Sequence, residues 1–150
     1  MLSIAFCDDE PIMLEELFNV VKGYIDSKKV EFTADLFESG EEFVEKGVRC
    51  RKYDIVFLDI EMKEMNGLEA AAWFRKLNEQ SKVIFVSSHV EYTLDAFKVA
   101  AFRYIIKNKD TMTQAVQEAL DACLDINPEI KQVKKYHFTE LDMFLQTEDI

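Results

Sequence analysis

Short, nearly continuous apolar runs alternate along this chain with stretches whose apolar residues recur every three or four positions. Runs of the first kind predict strands buried on both faces, and stretches of the second predict amphipathic helices. Leu2–Cys7 reads as the first strand. Asp9 can cap the helix that follows, and Pro11 suits its first turn; Leu14, Leu17, Phe18, Val21 and Ile25 make its apolar face. Val30–Ala34 reads as a shorter second strand, and Ser39 with Glu42 has capping-box spacing ahead of Phe43 and Val44. Asp54–Leu58 is the most continuous apolar run, which places it centrally in a sheet. Gly67–Leu77 predicts an alanine-rich helix and Lys82–Val86 a fourth strand. Glu91–Ala101 predicts a helix turned inward on Leu94, Phe97 and Ala101, and Phe102–Ile106 a fifth strand. Met112, Ala115, Val116, Ala119, Leu120 and Cys123 mark a last helix.

Five strand–helix units in succession predict an α/β fold: a doubly wound parallel sheet in the flavodoxin-like order 2-1-3-4-5. That order makes four strand endings neighbours on one edge. The first run ends on Asp8-Asp9, the third on Asp59, the fourth on Ser87-Ser88 and the fifth on Lys107. Ligands of open α/β sheets bind outside the carboxyl ends of the strands. Three carboxylates held together repel one another unless a cation joins them. Magnesium suits such a group, because it takes oxygen ligands and is often completed by a phosphate. A carboxylate can also serve as a nucleophile toward phosphorus. Lys107 and Ser87 would then neutralise and hydrogen-bond the phosphoryl oxygens. Taken singly, each residue has an ordinary explanation as a cap, a turn residue or a solvated lysine. Their convergence on one edge is what points to chemistry.

Composition narrows the picture further. At 150 residues, 49% of them hydrophobic, one domain with a real core and a short extension is expected. A net charge of −11 argues against this chain itself gripping nucleic acid or an anionic membrane surface. Cys7, Cys50 and Cys123 lack metal-ligand spacing, and Cys7 and Cys123 fall on apolar patterns. The start enters a strand that meets charge at Asp8, unlike a signal peptide, and no apolar run is long enough for a membrane span. A reduced, cytoplasmic setting is expected. After Asn127-Pro128 the character changes. A basic cluster of Lys131, Lys134 and Lys135 precedes strand-like stretches at 136–139 and 143–145, and the chain stops as though a longer one had been cut.

Asp8-Asp9, the run Phe57-Leu58-Asp59-Ile60-Glu61-Met62, Asn66-Gly67, Ser87 and Tyr104-Ile105-Ile106-Lys107 together resemble the receiver domain of bacterial two-component response regulators. The resemblance implies that Asp59 accepts a phosphoryl group from a sensor histidine kinase. It implies Mg2+ held by Asp8, Asp9, Asp59 and the backbone carbonyl of Glu61. It makes Ser87 and Tyr104 the switch pair, which remodels the face of the fourth helix, fifth strand and fifth helix, the expected surface for a homodimer. Glu61 and His89 fall two residues after Asp59 and Ser87, places that flank the phosphoryl group, so they are expected to tune its lifetime. Ser88-His89-Val90-Glu91-Tyr92 with Ala96-Phe97 resembles receivers of the LytTR-type (LytR/AgrA-like) family. Residues 1–126 are then the receiver, and 127–150 a linker with the possible start of a LytTR-type DNA-binding domain. DNA would be met only through that output half. The chain would catalyse its own phosphorylation and dephosphorylation without being a metabolic enzyme.

Asn108 stands where receivers usually carry proline after the lysine. A cis bond before a non-proline residue costs about 3 kcal/mol. A trans Lys107–Asn108 peptide is therefore expected, with an altered approach for Lys107. The same departure keeps open a receiver-like interaction module that takes no phosphate. A magnesium-dependent phosphatase with an aspartyl nucleophile would more commonly place Asp-x-Asp on the first strand. A flavin carrier would need a hydroxyl- and glycine-rich loop there, where this chain has Cys7-Asp8-Asp9-Glu10-Pro11.

Overall fold

The computed structural model describes residues 1–124. The elements in order are β1 (Leu2–Cys7), α1 (Pro11–Ser27), β2 (Phe32–Phe37), α2 (Gly40–Glu45), a 3-10 helix (Gly47–Lys52), β3 (Ile55–Leu58), α3 (Gly67–Leu77), β4 (Lys82–Ser87), α4 (Thr93–Lys98), β5 (Arg103–Ile106) and α5 (Met112–Leu124). The five strands form one parallel sheet in the order β2-β1-β3-β4-β5, as the periodicity predicts. The boundary expected at 127 and the tail after it lie outside the described residues. Among the described residues, no helix is long and apolar enough to cross a membrane.

Alternation along each strand divides the core between the two faces of the sheet. Ala5, Cys7, Val56, Leu58, Val83 and Phe85 pack with Phe43, Ala70 and Phe74 on one side. Ile4, Phe6, Phe57, Ile84 and Val86 pack with Leu14, Leu17, Val21, Ile25, Val116 and Leu120 on the other. Both faces are covered, which is why these strands read as unbroken apolar runs.

Four local expectations are corrected. Strand β2 begins two residues later than expected and ends at Phe37; it is an edge strand with a half-exposed pattern, so its signal is weaker. Helix α1 does start at Pro11, but Glu10 occupies the cap position with no side-chain bond, and it is the Asp8 carboxylate that accepts from the Glu10 N–H, at 2.9 Å. Ser39 accepts from the Glu42 N–H at 3.0 Å, yet the Glu42 carboxylate reaches back to the Glu38 N–H, one residue beyond a capping box. Helix α4 spans only Thr93–Lys98 and turns Ala96 inward, leaving Leu94 76% and Phe97 49% exposed. With so few residues the helix packs through its one small side chain, and the larger two cannot also reach the core.

Candidate functional site

Parallel pairing brings Cys7 level with Leu58, Leu58 with Phe85, and Ser87 with Ile106. The residues just beyond those pairs are therefore held side by side. Asp59 N–H donates to the Cys7 carbonyl at 2.9 Å, and Lys107 N–H to the Ser87 carbonyl at 2.8 Å. The chain then folds back sharply after Asp59. Gly67 N–H donates to the Ile60 carbonyl at 2.8 Å, and a Cβ on Gly67 would fall 1.9 Å from the Asp59 carbonyl oxygen. Only glycine lets the start of α3 approach the Asp59 backbone so closely. Asn66 and Glu69 complete a reciprocal capping box there.

One carboxylate oxygen from each of Asp8, Asp9 and Asp59 lies within 4.8 Å of the others. Asp8 and Asp59 are buried. At that separation, two carboxylates repel by about 3.5 kcal/mol at an effective dielectric constant near 20. Lys107 offsets part of this. Its Nζ lies 3.0 Å from Asp8 Oδ2, 3.2 Å from Asp59 Oδ1 and 3.4 Å from Glu10 Oε1. One ammonium against four carboxylates leaves the site under-neutralised. Burial, and then the neighbouring Asp8 charge, push the Asp59 pKa up to about 7 despite Lys107. Burial also raises that of Asp8, against the pull of the Glu10 N–H and Lys107. Burial works to lower the Lys107 pKa, but Asp59 and Asp8 more than offset it and the ammonium is held charged. Hard oxygen donors, close together and short of positive charge, fit a divalent cation.

The Lys107–Asn108 peptide is trans, as expected. The side chain nonetheless reaches both buried aspartates, so the missing proline does not keep Lys107 out of the site.

A second layer sits beside the carboxylates. Ser87 is buried, and its hydroxyl accepts from the His89 N–H at 3.1 Å. The Tyr104 hydroxyl donates to the His89 carbonyl. The His89 imidazole pairs with Glu61 at 2.5 Å through Nε2 and with Glu91 at 3.3 Å through Nδ1. All eight candidate residues thus fall at one edge. Two were missed from the sequence. Glu10 could have been noticed as the third acid of an Asp-Asp-Glu run, whereas Glu91 is legible only as part of the run Ser88-His89-Val90-Glu91-Tyr92, with nothing there to mark it as a partner of His89.

A doubly wound parallel sheet with three carboxylates and a lysine at its carboxyl edge fits a phosphoryl-signalling switch. The chain belongs to the response regulator receiver domain family, whose pattern matches residues 4–118. It is similar to the transcriptional regulatory protein LytR of Staphylococcus aureus (strain N315), 31% identical over 103 residues, covering 67% of this chain and 39% of that protein. The sensory transduction protein LytT of Bacillus anthracis is 35% identical over 112 residues, covering 73% of this chain and 43% of that protein. The chain therefore spans about two fifths of the length of these curated relatives. Among solved structures, the response regulator TrrA of Thermotoga maritima, in complex with Mg2+ and BeF, is 30% identical with a TM-score of 0.64, covering 79% of this chain and 99% of that one.

Proposed function

We propose that Asp59 is the phosphoacceptor of a two-component switch and that the phosphoryl group comes from a phosphohistidine on a sensor kinase. An Asp59 carboxylate oxygen would form the new P–O bond while the P–N bond of the donor breaks, and the departing imidazole takes up a proton. Asp8, Asp9, Asp59 and the Glu61 backbone carbonyl would hold Mg2+. The ion would supply neutralisation of the developing negative charge. Lys107 orients and neutralises the phosphoryl oxygens from the other side. The observation that carries this reading is the shortage of positive charge: three carboxylates within 4.8 Å share one buried ammonium.

The Ser87 hydroxyl and Tyr104 form the switch. Ser87 would leave the His89 N–H for the phosphoryl group, and with Tyr104 bonded to the same residue, the β4–α4 loop would respond as a unit. The Glu61–His89 pair tunes how long the phosphoryl group lasts by governing water access. Residues 1–126 are the receiver, and 127–150 lead into a LytTR-type DNA-binding output through which transcription is regulated. That typing is supported by similarity to a protein named as a transcriptional regulator. A homodimer would form through α4, β5 and α5, where Val90, Leu94 and Phe97 stand exposed.

The test is intact mass after incubation with acetyl phosphate, with and without Mg2+. The wild type gains one phosphoryl group only with Mg2+, and Asp59→Asn gains none. Equal gain by both proteins would sink the assignment.

A further inference from the structure

Arg75, near the end of α3, has no carboxylate partner within ion-pair distance among the described residues. Its guanidinium instead meets five backbone carbonyls. Nη1 donates to Asn78 (3.2 Å), Glu79 (3.4 Å) and Ser81 (2.7 Å), all after α3. Nε donates to Val99 at 2.9 Å and Nη2 to Ala100 at 2.8 Å, both just after α4. Helix C-termini leave carbonyls unpaired and carry partial negative charge. One guanidinium therefore caps two helices and ties them together. Ala100 sits at φ 58, a left-handed conformation unfavourable for alanine, and the Arg75 bond to its carbonyl helps to hold it there.

The other end of α4 is built differently. Tyr92 occupies its cap position with no side-chain bond. That end continues into the loop whose His89 is bonded to Ser87 and Tyr104. Helix α4 is thus anchored at one end and joined to the switch residues at the other.

We infer that Arg75 is a positioning residue: the fixed pivot about which α4 turns when the switch residues move. The inference rests on the switching role given above to Ser87 and Tyr104. A displacement of the β4–α4 loop becomes a tilt of α4 because Val99 and Ala100 cannot follow it. Leu94 and Phe97, exposed on α4, are what the tilt re-aims. A lysine cannot replace the clamp. Its three donors radiate from one atom, whereas the guanidinium presents five in a planar fork.

The test is hydrogen–deuterium exchange on the 150-residue chain, before and after acetyl phosphate with Mg2+, for wild type, Arg75→Gln and Arg75→Lys, with circular dichroism confirming the fold. The reporters are the Val99, Ala100, Ala101 and Phe102 amides, each bonded to a backbone carbonyl. Arg75→Lys is the milder change, should Arg75→Gln fail to fold. Without phosphodonor, both variants are expected to exchange about tenfold faster at these amides. Phosphorylation of Asp59 itself stays within about twofold of wild type, because Arg75 lies at the opposite edge of the sheet. The phosphorylation-dependent change in exchange across residues 90–98, present in the wild type, is lost in both. Wild-type exchange at the reporters in Arg75→Lys overturns the clamp. A preserved phosphorylation-dependent change across 90–98 overturns the pivot. If the wild type takes no phosphoryl group, the switching role falls and the pivot with it, while basal exchange still judges the clamp.

Discussion

Two cations, a half-buried arginine and a lysine with a buried side chain, stand at opposite edges of the sheet and are satisfied in opposite ways. Arg75, at the amino edge, is met by neutral carbonyl dipoles that use its fork of donors. Lys107, at the carboxyl edge, is met by Asp8, Asp59 and Glu10, with Asp9 beside them. The first arrangement is complete: its removal can only orphan carbonyls. The second is unbalanced, with more negative charge than one ammonium can neutralise. A cation matched to dipoles holds structure, and a cation outnumbered by carboxylates marks a place where a further cation and a phosphoryl group can enter.

The largest expected effect comes from closing the carboxyl edge sterically. Gly67→Ala forces a Cβ against the Asp59 carbonyl oxygen, where neither atom belongs to a flexible side chain. Urea unfolding should show a loss of about 3 kcal/mol or more. A loss under about 1 kcal/mol would mean that the fold-back after Asp59 is looser than this geometry.

Next comes the contrast between the cations themselves. Arg75→Met should cost about 3 kcal/mol, since several carbonyls lose a charged donor together. Lys107→Met should cost about 1 kcal/mol at neutral pH, because the carboxylates can respond by taking up a proton. Equal losses in parallel urea titrations would erase the distinction between the two edges.

A pH-dependent effect follows from the raised Asp59 pKa. Its ordinary value is 3.8 and in the folded chain it is about 7, so between these values the native state holds a proton that the unfolded chain has lost. Stability must then fall as pH rises through this window. Asp59→Asn removes that dependence. Its unfolding free energy should exceed that of the wild type by an amount that grows from pH 4 to pH 7, and Mg2+ should narrow the gap by favouring the ionised wild-type site. A gap that stays constant with pH would remove the electrostatic basis of the contrast.

The smallest effect is at the clamp. Ala100→Gly relieves the left-handed alanine but adds freedom to the unfolded chain, for a net gain of about 0.5 kcal/mol. A loss of stability there would mean that Ala100 is not strained.

Much of this was legible in the chain. The sheet order and the edge that gathers Asp8, Asp9, Asp59, Ser87 and Lys107 follow from where apolar runs stop, because buried strands must end on whatever the edge exposes. What escaped depends on geometry that periodicity does not carry. Leu94 and Phe97 have the spacing of a buried face, but a helix of six residues buries only Ala96. Asp9 looks like the cap of α1, while Asp8 receives the Glu10 N–H, since the two differ only in which way the loop turns. Arg75 reads as an ordinary polar residue on an alanine-rich helix. Its partners are backbone carbonyls up to 25 residues away, and backbone leaves no mark in a sequence.

The most direct test is to locate the phosphoryl group. Borohydride reduces an acyl phosphate to an alcohol, marking the aspartate that carried it. Peptide mapping after acetyl phosphate, Mg2+ and borohydride should place the mark on Asp59 alone. A mark on Asp8 or Asp9, or none at all, would contradict the assignment of the under-neutralised edge as a phosphoacceptor site centred on Asp59.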